Sequence, residues 1–419
     1  NDQLKTLKEI NKDLVSNQKM FRLLQGDVGS GKTIVALIAA LNVVNSGYQV
    51  AVMAPTEILS RQHFFLAKSL FQSSININQL SSKTEYKEKK MILNELKNKK
   101  IDIIFGTHSI FQKKVEFKKL GLIIIDEQHK FGVNQRKSLS EKGGNNCDVL
   151  VMSATPIPRT MMMTMYGDMD ISLIKTKPSN RKEIKTYTKD INKIDDVLKF
   201  IKQQIKKKDQ IFWVCPLIEE SKKVDHQSSI KRYESLKKIF KNRVGLLHGG
   251  LEKDQKDKIL LKFLNQEIDI LVSTTVIEVG IDFPNANLIV IENANKFGLA
   301  QLHQLRGRVG RGIEQGTCIL LYKDGLSKNA IKRIRILKNS DDGFYIADED
   351  LKLRGYGDIT GFQQSGIKNF RFADPVIHED IFKLAENYVK NIQDYDNFKK
   401  YSFLLKLFDR AEIINVKEI

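Results

Sequence analysis

Short runs of β-branched and other apolar residues alternate with helical stretches along most of the chain. Such runs are typical of buried parallel strands, and the alternation is typical of helices packed on a parallel sheet. The strand-like runs end at or span LL (23–24), YQVAVMAP (48–55), IDIIFGT (101–107), GLIIID (121–126), CDVLVMSAT (147–155), QIFWVCP (210–216), VGLLHG (244–249), IDILVST (268–274) and NLIVIENA (287–294). In the later part, helices are predicted at 229–241 and 253–264. The pattern predicts two tandem doubly wound α/β domains.

A polar segment, TKPSNRKEIKT (176–186), separates the two predicted sheets and is interpreted as a linker. After residue 326 the apolar positions Ala330, Ile331, Ile334 and Leu337 form one helical stripe. Asp341, Asp342 and Gly343 interrupt the chain before a second helix, and the glycines of RGYGDITG predict a mobile loop. The predicted boundaries are 1–180 and 181–325 for the two sheet domains, 326–370 for a helical hairpin with its loop, and 371–419 for a helical segment.

The charge balance indicates a polyanionic partner. The 419 residues include 69 Lys and Arg against 50 Asp and Glu, a formal net charge of +19, which favours nucleic acid as a ligand. A second explanation stays open, because lysine-rich stretches such as 83–100 also fit solvated helix faces.

Cysteine usage and hydropathy bear on metal sites, redox chemistry and membrane insertion. Three separated cysteines, with no C-x-x-C pair, predict neither a zinc site nor redox chemistry and fit a reducing cytoplasm. No apolar run approaches the roughly 18 to 20 residues that span a bilayer, and no secretion signal opens the chain. The first residue is Asn rather than Met, from which we expect an upstream portion.

The segment GDVGSGKT (26–33) fits the phosphate-binding pattern G-x-x-x-x-G-K-[ST]. Its glycines allow successive N–H groups to wrap a phosphate, and the helix predicted from Lys32 to about Asn45 directs its N-terminal dipole at the same anion. Lys32 is expected to contact β- and γ-phosphate oxygens, and Thr33 to ligate Mg²⁺. The residues expected to bind nucleotide on this basis are Gly26, Gly29, Ser30, Gly31, Lys32 and Thr33.

Two further groups complete the predicted chemistry of phosphoryl transfer. Asp126 and Glu127 follow a buried strand, at the sheet edge where α/β proteins bind ligands. Asp126 is expected to hold Mg²⁺ and Glu127 to orient or deprotonate the attacking water. The second sheet has no phosphate loop, so the nucleotide is expected between the two sheets. In the second sheet domain, QLRGRVGRG (304–312) predicts a helix start that carries arginine fingers. Arg308 and Arg311 are favoured for this role, and the role of Arg306 stays open.

The ordered motifs GDVGSGKT, APTEILSRQH, GTHSI, DEQHKFGV, SATPIPRT, TTVIEVGID and QLRGRVGR resemble those of superfamily 2 helicases and translocases. Within that group, residues 3 to about 375 are similar to the motor of the RecG family of branched-DNA translocases. This resemblance implies two RecA-like domains, ATP and Mg²⁺. It further implies that Gln3 reads adenine and that Gly280 and Asp282 lie along the nucleotide. It assigns the coupling of hydrolysis to domain movement to Ser153, Thr155 and Gln304.

The resemblance also implies contacts with the DNA backbone, which carry no sequence preference. They are expected at Thr56, Arg61, Thr107, His108, Thr274, Thr275 and Arg354. For the Thr and His side chains, ordinary capping or turn roles are an equal alternative. Lys130 stands where the family usually has Arg, a small departure beside the Asp-Glu pair.

The expected activity is an ATP-dependent motor on double-stranded and branched DNA, including replication forks and Holliday junctions. An Mfd-type transcription-repair translocase is an alternative, although Gln128, TMYGDMDIS (164–172) and FWVCPLIEES (212–221) favour RecG. A non-catalytic nucleic-acid clamp is a second alternative. The resemblance further implies a bacterial, nucleoid-associated monomer that contacts replication-restart or single-strand-binding proteins. The family's upstream wedge domain is not among these residues, which puts junction specificity in doubt.

Overall fold

The computed structural model describes residues 2–71, 75–81, 84–112, 114–127, 147–155, 169–176, 182–216, 222–274, 281–312, 314–323, 325–359, 378–390 and 403. These residues fall into two compact units. The larger unit contains the described residues up to Leu353, and the smaller unit contains those from Arg354 onward.

The first part of the larger unit is a seven-stranded parallel sheet with the order β3-β4-β2-β5-β6-β1-β7. Its strands are β1 (Phe21–Gly26), β2 (Gln49–Met53), β3 (Ile77–Leu80), β4 (Ile103–Gly106), β5 (Leu120–Asp126), β6 (Asp148–Ser153) and β7 (Asp170–Ile174). The helices described with it are α1 (Asp2–Leu14), α2 (Lys32–Asn45), α3 (Glu57–Phe71) and α4 (Tyr86–Lys97). Strands β1, β2, β5 and β6 are almost wholly buried, as their apolar runs predict.

A second parallel sheet of six strands follows, with the order β10-β11-β9-β12-β13-β8. Its strands are β8 (Lys185–Asp190), β9 (Gln210–Val214), β10 (Val244–Leu247), β11 (Ile270–Ser273), β12 (Ala286–Ile291) and β13 (Thr317–Tyr322). The helices described with it are α5 (Ile194–Lys206), α6 (Lys222–Phe240), α7 (Lys253–Leu264) and α8 (Leu299–Arg306). Two apolar clusters cover its two faces: Phe212, Val214 and Ile289 belong to one, and Trp213 and Val290 to the other. The prediction of two doubly wound parallel sheets is confirmed.

The strand register places the carboxyl ends of β1, β6 and β5 side by side at one edge of the first sheet. Gln25 pairs with Ser153, and Asp126 pairs with Met152, so the carboxyl ends of β1, β6 and β5 are neighbours. The loop after β1 and the carboxylates after β5 therefore lie two strand spacings apart, roughly 10 Å.

Several predicted boundaries were wrong. The expected linker at 176–186 overlaps β8, which begins at Lys185, and α6 begins at Lys222 rather than 229. Four strands were not predicted. Three of them, β3, β7 and β8, lie at sheet edges, where one side needs no apolar pattern.

A helical hairpin completes the larger unit. Helix α9 (Lys328–Asn339) is followed by α10 (Gly343–Ile359), which runs into the smaller unit. Ala330, Ile334 and Leu337 are buried as expected, but Ile331 is 43% exposed and does not belong to the buried stripe. The prediction of a loop in RGYGDITG was wrong for residues 354–359, because α10 continues through Gly355 and Gly357 to Ile359.

The smaller unit contains helix α11 (Glu379–Lys390), whose Ile381, Leu384 and Tyr388 are exposed. Among the helices of the described residues, none has the length and apolar character needed to cross a membrane.

Candidate active site

The loop between β1 and α2 forms a cradle of backbone groups. Gly31 has φ +90°, and a Cβ built there would lie 2.2 Å from Nε2 of Gln3. Gln3 Nε2 donates to the Ser30 carbonyl at 2.9 Å, so this side chain closes over the loop. The Ser30 hydroxyl is buried without a hydrogen-bond partner among the described residues. A glycine-lined loop at a helix N-terminus with an unpaired buried hydroxyl fits a phosphate group.

Lys32 lies in this cradle and is 8% exposed. Its Nζ donates to the carbonyl oxygens of Gly26, at 2.7 Å, and Asp27, at 3.0 Å. Burial lowers the pKa of Lys32 to about 8, although the charges of Glu127 and Asp126 oppose this. A desolvated ammonium group that donates to two backbone carbonyl oxygens is suited to receive a phosphate oxygen in their place.

Asp126, at the end of β5, is held by a histidine that the sequence analysis did not select. His63 Nε2 lies 2.8 Å from Asp126 Oδ2, and both side chains are buried. Burial by itself raises the pKa of the Asp126 carboxyl, but the hydrogen bond and charge of His63 and the charge of Lys32 bring it below its ordinary value. Asp126 is thus kept ionised and oriented, as a carboxylate that binds a cation requires.

Glu127 adopts a left-handed backbone conformation with φ +56°, rare for a residue other than glycine. Its N–H donates to the Met152 carbonyl at 3.0 Å, and its side chain is 4% exposed. Outliers of this kind concentrate at functional sites.

The three residues expected to couple hydrolysis to movement form one hydrogen-bonded group. Thr155 N–H donates to Ser153 Oγ at 3.2 Å, and Gln304 Nε2 donates to Thr155 Oγ1 at 2.7 Å. Ser153 and Thr155 follow β6 of the first sheet, whereas Gln304 lies on α8 beside the second sheet. The group therefore joins the two domains.

Arg308 and Arg311 follow the end of α8, so the expected helix start was wrong: α8 ends at Arg306, and Gly307 caps it. Arg308 is 4% exposed. Arg311 Nη1 lies 3.3 Å from Asp282 Oδ1, and its positive charge lowers the pKa of Lys32. Arg306 instead donates to the carbonyl of Leu337 on α9.

Two more contacts between the domains were not predicted. Gln62 on α3 forms two reciprocal hydrogen bonds of 3.0 Å with the backbone N–H and carbonyl of Asp282. His303 on α8 lies 2.8 Å from Asp27 Oδ1 in the phosphate loop. Each of these residues stands inside or beside a motif, but only tertiary structure pairs them.

The expected DNA contacts have mixed surroundings. Thr56 Oγ1 accepts from Leu59 N–H at 3.3 Å at the start of α3, Arg61 stacks over Phe65, and Thr107 precedes a 3-10 turn that begins at the exposed His108. Thr274 is 1% exposed, so its hydroxyl does not reach solvent in this conformation. Gly280, Thr275, Gln128, Lys130 and the side chain of Arg354 lie outside the described residues.

Comparison with protein families agrees with this arrangement. Residues 1–164 match the DEAD/DEAH box helicase model, and residues 192–312 match the helicase conserved C-terminal domain. Residues 340–405 match the C-terminal part of domain 3 of the ATP-dependent DNA helicase RecG. The two sheets thus have the fold of the two RecA-like domains that these helicase models describe.

Sequence similarity to curated proteins shows to which helicase family the chain belongs. The chain is 47% identical over 403 residues to the ATP-dependent DNA helicase RecG of Bacillus subtilis, covering 96% of this chain and 59% of that protein. It is 46% identical over 399 residues to the protein of the same name from Thermotoga maritima, covering 94% of this chain and 50% of that protein. The chain belongs to the RecG family and spans about 50 to 60% of the length of these relatives.

Solved structures give the same result. A structure of RecG bound to a three-way DNA junction is similar with a TM-score of 0.78 and 43% identity, covering 91% of this chain and 50% of that one. Dbp5 of S. cerevisiae, bound to RNA and ADP BeF3, has a TM-score of 0.59 and 18% identity over 84% of this chain and 93% of that one, a likeness of fold alone.

Proposed function

We propose that this chain is the motor of an ATP-dependent translocase acting on double-stranded and branched DNA. The observation that carries the proposal is that the second domain contacts the first at the phosphate loop, through His303 on Asp27, and just after β6, through Gln304 on Thr155. A site assembled from two domains can change its grip on a second ligand whenever the nucleotide changes. The RecG relative bound to a three-way junction supports branched DNA as that ligand.

The nucleotide is proposed to lie against Gln3 and the loop glycines Gly26, Gly29 and Gly31, with Ser30 donating to a phosphate oxygen. Lys32 is expected to leave its two carbonyl partners for the β- and γ-phosphates. Gly280 and Asp282 are assigned to the opposite side of the nucleotide on family resemblance.

Thr33 and Asp126 would hold Mg²⁺, which neutralises phosphate charge when bound. The described residues contain no group of three His, Cys, Asp or Glu ready to cage a metal. This fits Mg²⁺, which usually keeps waters and uses one or two carboxylates beside the substrate phosphates. Glu127 would take the proton of the attacking water, and Arg308 and Arg311 would stabilise the charge on the transferred phosphoryl group.

The hydrogen-bonded group of Ser153, Thr155 and Gln304 is proposed to couple ATP hydrolysis to movement of the two domains that it joins. The four proposed regions are 1–180, 181–325, 326–370 and 371–419. The net charge of +19 supports a surface that binds the DNA phosphate backbone. The residues proposed to contact the DNA backbone are Thr56, Arg61, Thr107, His108, Thr274, Thr275 and Arg354.

For the complete protein we propose replication fork reversal and Holliday junction branch migration, in recombination and repair at the bacterial nucleoid. It would act as a monomer recruited by replication-restart or single-strand-binding proteins.

Hydrolysis of ATP by this chain, measured in low salt without DNA, with linear duplex and with a model fork, tests the proposal. We expect stimulation by both DNAs, and loss of turnover in Lys32→Ala. Lys118→Ala removes the same charge from an exposed residue preceding β5, at the opposite edge of the sheet, and should keep turnover. Turnover that survives in Lys32→Ala, or that no DNA stimulates, overturns the assignment.

A further inference from the structure

A continuous line of polar contacts runs from the phosphate loop to the helical hairpin formed by α9 and α10. Asp27 Oδ1 lies 2.8 Å from His303 Nε2, and His303 Nδ1 lies 3.1 Å from Arg306 Nη2. Arg306 Nη2 lies 3.0 Å from Asp341 Oδ1, between the two hairpin helices, and Nη1 donates to the Leu337 carbonyl at the end of α9. The line thus crosses from the first domain through the second into the hairpin.

The chemistry of the three side chains fixes the direction of each hydrogen bond. Arginine has five N–H donors and no acceptor, so His303 Nδ1 accepts from Arg306. A nitrogen that accepts carries no proton, and the proton of the neutral imidazole is therefore on Nε2. His303 Nε2 then donates to Asp27. The imidazole thus joins a carboxylate to a guanidinium, using one nitrogen for each.

The line is buried where it crosses between the domains. The side chains of Asp27, His303 and Arg306 are 7%, 5% and 2% exposed. Buried polar groups are costly when a partner leaves, so these contacts resist separation. Asp27 Oδ1 also accepts from the N–H of Val28 at 2.7 Å, which ties the carboxylate to the backbone of the phosphate loop. A shift of that backbone must therefore displace the carboxylate, and the displaced carboxylate must pull on His303.

We propose that His303 is a positioning residue that transmits the conformation of the phosphate loop, through Arg306, to the helical hairpin. This inference rests on the proposed function as a nucleotide-driven motor. His303 has no part in bond breaking; it acts through Asp27 on one side and Arg306 on the other.

Two substitutions each retain one half of the bridge. The amide nitrogen of glutamine reaches about as far as Nε2, so His303→Gln keeps a donor for Asp27. The amide oxygen of asparagine lies near the place of Nδ1, so His303→Asn keeps an acceptor for Arg306. If the bridge requires both bonds, the two variants should fail alike. We expect each to lower the kcat of DNA-stimulated ATP hydrolysis about tenfold, while the KM for ATP changes less than threefold.

Amide hydrogen exchange distinguishes a role of His303 in transmitting the conformation of the phosphate loop from a purely structural role. With a non-hydrolysable ATP analogue, amides of residues 27–45 should gain protection in the unsubstituted protein and in both variants. Amides of α9 should change only in the unsubstituted protein. Asp341→Asn should behave like the His303 variants. Asp342→Asn is the matched control, because the Asp342 side chain accepts from the N–H groups of Phe344 and Tyr345 at the start of α10.

Each outcome is decisive. If the analogue does not protect residues 27–45 of the unsubstituted protein, the proposed function fails. If it protects them but α9 does not respond, or responds equally in both His303 variants, the transmission role of His303 is overturned and the proposed function stands.

Discussion

The stability of the second sheet should depend on one buried ion pair. Glu292 follows β12, and both its oxygens accept from Arg232 on α6, each at 2.8 Å. The indole N–H of Trp213 on β9 donates to the same carboxylate at 2.9 Å, and the guanidinium lies 5.1 Å from the Trp213 ring centre. Replacing Glu292 with Gln keeps the volume but removes the charge, so Arg232 loses its counter-ion.

The size of the effect follows from burial. The side chains of Arg232 and Glu292 are 19% and 13% exposed. Removing one partner of a buried pair costs about 3 to 5 kcal/mol. Because Arg232 retains some solvent and the glutamine oxygen still accepts one bond, we expect a loss of about 2 to 3 kcal/mol in unfolding free energy. The double substitution Glu292→Leu with Arg232→Met should cost only about 1 kcal/mol, mainly from the unpaired indole N–H.

The assay has a built-in reporter, because Trp213 is the only tryptophan in the sequence. Urea unfolding followed by its fluorescence reports the second sheet. The single substitution should shift the midpoint well below that of the double variant. A single variant as stable as the unsubstituted protein, or a double variant less stable than the single one, would refute the reasoning.

The same pair predicts a pH dependence. Burial raises the pKa of Glu292, but the hydrogen bonds and charge of Arg232 outweigh it, and the pKa lies below its ordinary 4.5. The stabilisation is therefore complete above pH 4.5 and is lost as pH falls through the lowered pKa. The stability difference between the unsubstituted protein and Glu292→Gln should shrink in that acid range and stay constant above it.

Three further predictions concern the site. Gly31→Ala should weaken binding of a fluorescent ATP analogue at least tenfold, whereas Gly47→Ala, with a similar φ of +82° but open surroundings, should not. His63→Leu should lower kcat about 10- to 100-fold by releasing Asp126, and His63→Gln should recover part of it. The unfolding free energy without nucleotide should rise between pH 8 and 10.5 by about 3 kcal/mol more than in Lys32→Met, because the folded pKa of about 8 lies below the ordinary 10.5. Urea titrations at both pH values measure this.

Sequence reasoning found the strands with continuous apolar runs, including β10 at one sheet edge, and missed the strands at the other three edges, β3, β7 and β8. LGLIIID in β5 has no polar interruption, whereas KTYTKD in β8 alternates exposed and half-buried positions and has no continuous apolar run. The exception is β13, TCILLY, whose apolar run was within reach of the same argument. Strand order was out of reach, because no local pattern states that β1 lies between β6 and β7.

In the candidate site too, features set by a local pattern were predicted and contacts between distant residues were not. Glycine spacing located the loop, and the end of an apolar run located Asp126 and Glu127. Contacts between distant segments were missed, because they depend on how elements of one domain pack together or on how the two domains face each other. His63 on Asp126 spans 63 positions, and His303 on Asp27 spans 276. A histidine inside a motif could have been selected as a candidate, but its partner could not.

The contacts that join the domains differ in how readily they can exchange. Arg311 and Asp282 lie 3.3 Å apart, and the Asp282 side chain is 55% exposed, so that pair contributes at most about 1 kcal/mol. His303 and Asp27 are almost fully buried, and separating them removes one hydrogen-bond partner from each of two buried polar groups. When a phosphate arrives, Arg311 can therefore leave Asp282 at little cost, while His303 stays on the loop. We expect the second domain to turn about the His303 contact as its arginines move toward the nucleotide, which places the greatest displacement far from α8.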